Sequence, residues 1–319
     1  MNKRTFWVIV RKEVADYLHS WRFFILIGII MLTCLGSLYT ALSAISSSAA
    51  AADARIEFLF LRLFTVSNGT VPSFLSFITF LGPLLGIGLG FDAINSERNK
   101  GTLSRILAQP VPRDYVINAK FVAALAVIGT MFLALGLLVM GLGIIVTGIE
   151  LSFEEFLRIL SYLLMSLVYV AFWLNLSILF SVLFKQPATA ALAGIAVWLF
   201  FSVFYNMIVE LLGKALVPSE VTLESLLNYE SIMMFLMRLS PSYLFGEVTT
   251  TLLYPTVNTL GSSILASQNE FFMIPDTPLS FLQSLLVSWP QLTAMIAATL
   301  ICFAISYYIF MRQEIRSRS

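Results

Sequence analysis

Charged side chains that could bind a partner are concentrated in one stretch of this sequence, Phe91–Lys120, which reads FDAINSERNKGTLSRILAQPVPRDYVINAK. Long apolar runs flank the stretch on both sides. Its acidic and basic groups can form ion pairs and charge-assisted hydrogen bonds, which is the chemistry of recognition. We therefore interpret this stretch, called the polar hinge below, as an element that docks on a separate protein in water.

The sequence lacks the common patterns of catalytic and metal sites. No G-x-x-x-x-G-K-[ST], H-E-x-x-H, C-x-x-C or G-x-S-x-G occurs in the 319 residues. Cys34 and Cys302 lie inside apolar runs, which favours small packed side chains over a disulfide or a metal site. The single histidine, His19, leaves no room for a histidine metal cluster. We expect no catalytic residue, cofactor or metal in this chain, and no nucleic-acid partner.

Composition places the chain in a membrane. It is 59% hydrophobic and only 12% charged, against about 25% charged residues in soluble domains. Several apolar runs reach the roughly 20 residues that a helix needs to cross a bilayer. We predict an all-α polytopic membrane protein forming one transmembrane domain over residues 1–319, with six transmembrane helices at about 23–44, 73–92, 117–147, 159–184, 188–212 and 285–311.

The segments outside these spans also carry patterns. Apolar residues recur at helical spacing over 2–20, which predicts an interfacial helix on the membrane surface; the alternative is an extension of the first span. The run 55–64 is too short and too charged to cross and is expected at the opposite surface. The segment 213–284 mixes polar and apolar residues, which favours short external helices over a flexible loop.

The distribution of charge predicts orientation. The amino terminus, the polar hinge, the turn at 185–187 and the carboxyl tail together hold 14 of the 19 Lys and Arg residues. Positive loops stay on the cytoplasmic side. Both termini and the hinge are therefore expected in the cytoplasm of a cell whose cytoplasmic membrane holds the protein, and 213–284 outside.

Polar groups inside the spans are few and uncharged. The candidates for a pathway are Thr33, Ser37, Asn175 and Asn206, for which interhelical hydrogen bonding is the favoured role. An ion-coupled carrier normally keeps an ionisable group near mid-membrane, so energy for transport is expected from elsewhere. Gly86 and Gly90 lie on one helix face and predict a close helix contact. The third apolar run is so long that it must tilt, bend at Gly136–Gly143 or protrude.

The polar hinge itself has three parts. Ser96 is a candidate cap for a short helix, whose apolar side comprises Leu103, Ile106 and Leu107 and whose polar side comprises Arg98, Lys100 and Arg105. Pro110 and Pro112 end it, and a new helix starts near Asp114. A short helix displayed between two spans suits another protein's groove; an amphipathic loop lying on lipid headgroups is the alternative.

The residues of the hinge also resemble a known signature. The run Glu97-Arg98-Asn99-Lys100-Gly101-Thr102-Leu103, then Leu107, Gln109-Pro110-Val111, Arg113 and Lys120, is similar to the E-x-x-x-G-T-L…L…P-V-x-R…K pattern of ABC-2 type transporter permeases. It resembles most the six-span branch that includes the nitrous-oxide-reductase maturation, sodium-efflux, bacteriocin-immunity and gliding-motility permeases. Leu239-Ser240-Pro241 also resembles this branch, whereas 213–284 is larger than in its compact members.

The resemblance implies a permease subunit, not itself an enzyme, that pairs with a second permease copy or paralogue and with separate ABC ATP-binding subunits. ATP and Mg²⁺ would be bound by those subunits, and residues 93–115 would form the coupling helix. The coupling residues it implies are Glu97, Arg98, Gly101, Thr102, Leu103, Leu107, Pro110 and Arg113. Export is the implied direction; a membrane scaffold or maturation factor that passes ATPase-driven movement to an external partner is the alternative.

Overall fold

The protein is built of α-helices. The computed structural model describes residues 3–49, 58–66, 72–109, 111–148, 150–217, 222–255 and 278–313, and these residues contain no β-strand. The predicted all-α fold class is confirmed. In chain order the described helices are α1 (Lys3–Leu18), α2 (Trp21–Ala49), α3 (Arg62–Thr65), α4 (Phe74–Gly90), α5 (Asn95–Asn99), α6 (Thr102–Leu107), α7 (Arg113–Thr147), α8 (Phe153–Leu183), α9 (Pro187–Leu199), α10 (Tyr205–Leu216), α11 (Leu223–Arg238), α12 (Pro241–Leu253), α13 (Phe281–Val287) and α14 (Trp289–Arg312).

Six segments of the described chain are long and apolar enough to cross a membrane. They are α2, α4 continued through Asn99, α7, α8, α9 joined to α10, and α14. The fifth of them passes from α9 to α10 through a π-helical turn at Phe200–Phe204. The prediction of six membrane-spanning helices is confirmed, and the chain is a multi-pass membrane protein.

Helix α8 lies at the centre of the bundle. It packs against α4, α7, α9, α12 and α14, and the side chains of Tyr162, Tyr169 and Trp173 are fully buried along it. The glycine face of α4 meets this helix: a Cβ atom at Gly86 would lie 2.9 Å from backbone atoms of α8. Small residues let two backbones approach this closely. The glycine spacing predicted a close contact without identifying the second helix, and the structure shows that this helix is α8.

Helix α7 is unbroken from Arg113 to Thr147. The sequence left tilting, bending at Gly136–Gly143 and protruding as alternatives. These glycines are packing positions within the continuous helix, because a Cβ atom at Gly136 would lie 2.4 Å from Leu163 and one at Gly143 would lie 2.5 Å from Leu63. The helix ends at Gly148, whose φ of 65° is the left-handed conformation of a common carboxyl-terminal cap.

Helix α1 is separate from the first span, and its apolar stripe faces protein. Val10 is buried against Ala119 and Ala123 of α7, and the ring of Phe6 meets that of Tyr115 edge-on. The amino-terminal helix predicted from the sequence is therefore present. The periodicity had placed its apolar side against lipid, but α7 covers that side, except at Leu18, which is exposed.

The end of the bundle away from the hinge is closed by short elements. Phe60, Leu61, Leu63 and Phe64 are almost completely buried there, so the described part of the run 55–64 packs into the core, while 55–57 lie outside the described residues. Its aromatic rings drive this, since Phe64 packs edge-on against Phe74 and Tyr162. Helices α11, α12 and α13 supply the predicted short helices between the fifth and sixth spans, while 218–221 and 256–277 lie outside the described residues.

Candidate functional site

The polar hinge forms two short helices, α5 and α6, set at an angle by Gly101. Gly101 has φ of 70°, a backbone conformation that glycine adopts without strain. Helix α5 begins at Asn95 after Ile94, whose own side chain provides no cap. The expectation that Ser96 caps a helix is thus wrong, because Ser96 already lies within the first turn. Thr102 steadies the junction by donating from Oγ1 to the carbonyl oxygen of Glu97 at 3.2 Å.

The two faces of the hinge differ in charge and exposure. Leu103 is completely buried and Ile106 is partly buried against the core, as the apolar pattern predicted. The backbone of Leu107 ends α6, and Pro110 lies outside the described residues. The opposite face is exposed and carries cations but no described acid; its exposed members are Asn99, Lys100, Arg105, Ala108, Gln109, Pro112 and Arg113.

Glu97 points away from that exposed face, into a buried ion cluster. Its Oε1 lies 2.8 Å from Nζ of Lys120 on α7, and the same ammonium lies 2.8 Å from Oε2 of Glu13 on α1. The side chains of Lys120, Glu13 and Glu97 are only 5%, 7% and 15% exposed. This three-residue cluster, called the Lys120 cluster below, joins α1, α5 and α7.

Lys12 adds a second cation at the rim of the Lys120 cluster, 3.0 Å from Oε1 of Glu13. Burial by itself would raise the pKa of the Glu13 carboxyl, but the ammonium groups of Lys120 and Lys12 outweigh burial and hold that pKa below its usual range. The Glu13 carboxylate is therefore ionised at neutral pH, and its ion pair with Lys120 holds α1 to the cluster by charge.

The hinge is also bound to the last turns of two other spans. Arg98 donates to the side-chain oxygen of Gln313 just after α14, and Arg113 donates to the Gln313 carbonyl at 3.5 Å. Gln313 in turn donates to the carbonyl of Val182 in α8 at 2.9 Å. Ser181 accepts from the backbone amides of Ile94 and Asn95 at 2.9 and 3.2 Å, capping α5 from α8.

One further contact completes this end of the bundle, called the hinge end below. Asn99 donates to the carbonyl of Lys185, between α8 and α9, at 2.9 Å. Together with the Lys120 cluster and Gln313, this contact brings the amino-terminal helix, the hinge, the 185–187 turn and the end of α14 into one layer. Those are the four segments that the charge count assigned to one side of the membrane.

The four uncharged pathway candidates are not brought together. Thr33 donates to its own helix at Ile30, 2.9 Å away, and Ser37 is buried in the same helix. Asn175 is buried between α8 and α14, where Nδ2 donates to the carbonyl of Thr299 at 3.4 Å. That contact is the interhelical hydrogen bond favoured from the sequence. Asn206 alone lines a cavity.

That cavity, of about 660 Å³, lies between the second span, the fifth span and α12. Its wall includes several hydroxyl groups, one amide and one carboxylate, on Ser76, Thr79, Ser202, Asn206, Ser242 and Glu247. Ser202 belongs to the π-helical turn, and such turns are frequent at functional sites. Glu247 binds Arg238 through two contacts of 2.8 and 3.0 Å. The sequence analysis missed this cavity because its hydroxyl groups are scattered over more than 170 residues.

A buried arginine fixes the elements beside the cavity. Arg158 is completely buried, donates to the carbonyls of Leu252 and Leu279 at 2.9 and 2.5 Å, and pairs with Glu154 at 2.8 Å. It also donates to Ser284 at 3.1 Å. One guanidinium therefore ties α8 to the ends of α12 and α13. The sequence signal was a lone arginine within the first two turns of an apolar helix.

Comparison with known proteins gives one family. Residues 7–315 match the family model described as "ABC-2 family transporter protein". The chain is 30% identical over 215 residues to "Probable ABC transporter permease protein NosY" of Stutzerimonas stutzeri, covering 63% of this chain and 68% of that one. It is 31% identical over 209 residues to the protein of the same description from Pseudomonas aeruginosa, with the same coverage.

Proposed function

The chain belongs to the ABC-2 transporter family, and we propose that it is the membrane-spanning permease subunit of an ATP-driven exporter. The family implies an ABC ATP-binding partner, and in our proposal that partner binds ATP and Mg²⁺ and docks on the polar hinge. The observation that carries the proposal is the two-sided hinge. Its inner face is bound to α1, α7, α8 and the end of α14, while its outer face offers Lys100, Arg105 and Arg113 to water.

Six of the eight implied coupling residues then have a role. Glu97 positions the hinge through Lys120, while Arg98 and Arg113 hold it to Gln313. Gly101 and Thr102 set the angle between α5 and α6, and Leu103 anchors α6 in the core. The residues that touch the ATPase are the exposed cations, Lys100, Arg105 and Arg113, together with Gln109.

The second span links the hinge to the cavity near Asn206. Its carboxyl end carries α5, and its amino-terminal turns supply Ser76 and Thr79 to the cavity wall. A pull on the hinge by a closing ATPase would move one wall of the cavity against the fifth span and α12. This coupling of position to cavity shape favours transport over a scaffold that only transmits strain.

A second copy or paralogue completes the transporter in this proposal. Most of the fifth span is exposed, with large apolar side chains along α9 and α10 such as Leu192, Leu199, Phe204, Met207 and Leu211. Such a face is stable only against lipid or another apolar helix. We propose that the partner permease contacts this face in the cytoplasmic membrane. Formation of a cross-link between the introduced cysteines of two Leu211→Cys copies would support this contact.

Charge exchange on the hinge tests the coupling. Arg105→Glu reverses an exposed cation, and Lys214→Glu makes the same reversal at an exposed lysine in the last turn of the fifth span. With the purified ATP-binding partner, Arg105→Glu is expected to weaken complex formation and stimulated ATP hydrolysis, and Lys214→Glu to leave both as in wild type. Equal behaviour of the two variants would remove the hinge from the docking interface.

Orientation is tested in intact cells with a membrane-impermeant thiol reagent. Both native cysteines are buried, so background labelling is low. Asn228→Cys lies on exposed α11 and Gln109→Cys lies on the exposed hinge. If both termini are cytoplasmic, the first is labelled in intact cells and the second only after lysis. The reverse pattern would overturn the orientation.

A further inference from the structure

A second open cavity, of about 680 Å³, lies at the hinge end between α1, α7 and α14. We call it the aromatic groove. Part of its wall is made of rings: Phe6 lies edge-on to Trp7 at 5.7 Å between centroids and edge-on to Tyr115 at 5.5 Å. Trp7 remains 57% exposed. The face of an indole ring is electron-rich and attracts cations, so the exposed Trp7 is the ring of this wall that can meet one.

The α7 side of the groove changes in polarity along its length. Asp114, Asn118, Phe121 and Val122 line it and fall at helical spacing on one face of α7. In order they are an anion, an amide, an aromatic ring and an aliphatic side chain. At 1.5 Å per residue the stripe is about 12 Å long. It therefore exceeds the roughly 5–8 Å depth of one headgroup layer and reaches into hydrocarbon.

The charged end of the groove has one sign. Asp114 supplies the carboxylate, and the described residues that line the groove include no lysine or arginine. No hydrogen bond or ion pair to the Asp114 side chain is present within the described chain. At the other end, Phe121 contacts Phe303 of α14 with ring centroids 5.2 Å apart, which closes an apolar floor.

This arrangement matches one class of ligand. A zwitterionic phospholipid presents a cationic ammonium at the membrane surface and an acyl chain below it. We propose that the aromatic groove binds such a lipid, of the ethanolamine or choline type, in the leaflet on the hinge side. The ammonium lies at Asp114 among the rings of Phe6, Trp7 and Tyr115, and an acyl chain lies along Phe121 and Phe303. An anionic headgroup is disfavoured, because it would meet a carboxylate and no cation.

The proposal does not depend on the transported substrate, since the groove opens beside the interfacial helix and is separate from the cavity at Asn206. A lipid bound in the groove gives α1 a second attachment to α7, in addition to the Lys120 cluster. Because Phe6 and Trp7 belong to α1 while Asp114 belongs to α7, a bound lipid bridges the two helices. The lipid therefore acts as a removable part of the hinge end.

Native mass spectrometry of the full-length protein tests the site. The protein is released from nanodiscs that contain equal amounts of phosphatidylethanolamine and phosphatidylglycerol, and retained lipids are counted. Wild type is expected to retain the ethanolamine lipid in preference to the glycerol lipid. Asp114→Asn and Trp7→Ala are each expected to reduce that preference by about fivefold, the effect of losing one charge or one cation–π contact.

Matched variants separate the groove from general lipid contact. Glu224→Gln removes an exposed acid on α11, and Trp289→Ala removes an exposed tryptophan at the start of α14; both are expected to keep the wild-type preference. Excess phosphoethanolamine, which lacks acyl chains, is expected not to displace the retained lipid. Equal retention of the two lipids by wild type, or an unchanged preference in Asp114→Asn, overturns the proposal. Displacement by phosphoethanolamine overturns the assignment to a lipid.

Discussion

Nζ of Lys120 lies 2.8 Å from Oε1 of Glu97, 23 positions earlier in the chain, and this contact is almost closed to water. It joins the first turns of the third span to the hinge helix that precedes it. Because Glu13 accepts from the same ammonium, movement of the hinge cannot leave α1 behind. Glu97, which the sequence suggests as a docking residue, is thus part of a structural connection between three helices.

Removing the cation should destabilise the hinge end strongly. Lys120→Met leaves two buried carboxylates with Lys12 as their remaining salt-bridge partner among the described residues, and losing one partner of a buried pair costs about 3–5 kcal/mol. We expect the free energy of unfolding to fall by an amount in this range, measured by denaturant titration in detergent. Lys214→Met removes a lysine whose pair with Glu210 is well exposed, and it should leave stability near wild type. Similar losses in the two variants would contradict the buried role of Lys120.

The stability of the hinge end should depend on acid through Glu13. Its folded-state pKa lies below that of an unfolded carboxyl, about 4.3, because the effect of burial is outweighed by Lys120 and Lys12. The unfolded chain then binds the proton more readily, so this stabilisation is present above about pH 4.3 and is lost as the pH falls through the lower folded value. Thermal unfolding measured from pH 7 to pH 3.5 should show a shallower fall for Glu13→Gln than for wild type. Parallel profiles would show that Glu13 does not carry this dependence.

The glycine face of α4 gives a steric prediction. At Gly86 an added Cβ would lie 2.9 Å from both the Leu174 amide nitrogen and the Val170 carbonyl oxygen, which are backbone atoms and cannot turn aside. Gly86→Ala should therefore push α4 away from α8 and cost about 1–3 kcal/mol of unfolding free energy, the usual range for overpacking. Gly28→Ala is the control, since nothing lies within 4 Å of a Cβ there. Its stability should match or exceed that of wild type.

The position of Arg158 should not tolerate even the conservative change to lysine. Its guanidinium reaches Glu154, Leu252, Leu279 and Ser284 at once, and the ammonium of Arg158→Lys cannot span that set. We expect a loss of about 1.5–3 kcal/mol, as for a lost charged hydrogen bond, together with faster amide hydrogen exchange in α12 and α13. Arg4→Lys, at an exposed position on α1, is the matched change. Unaltered exchange in Arg158→Lys would exclude the role of the arginine in holding those helices.

Sequence patterns were sufficient for the elements whose signal is local. The six spans follow from apolar length, and the inner face of the hinge follows from the spacing of Leu103 and Ile106. The glycine contact could also be predicted from the sequence, because Gly86 and Gly90 are one turn apart. In each case the residues that carry the signal lie within a few turns of one another.

Contacts between segments that are distant in the chain could not be predicted from the sequence. Nothing in the spacing shows that Lys120 meets Glu13, 107 residues away, or that Gln313, just after α14, binds both Arg98 and Arg113. The cavity at Asn206 gathers its wall from three segments that are apolar or mixed when read alone. Such sites depend on which helices pack together, and a single sequence with six similar apolar runs does not determine that.

The unbroken course of α7 has a mechanical consequence. Its 35 residues span about 52 Å, against a hydrocarbon thickness of about 30 Å. A centred helix that lies along the bilayer normal would therefore stand out of the hydrocarbon by about 11 Å at each end, roughly its own diameter. A soluble protein can then contact Arg113 without pressing on the bilayer. A force that it applies there acts on the protruding end of α7 as on a lever arm. A sideways push there tilts the whole rod about the membrane, so that Thr147 on the far side moves in the opposite direction without any relay of side chains.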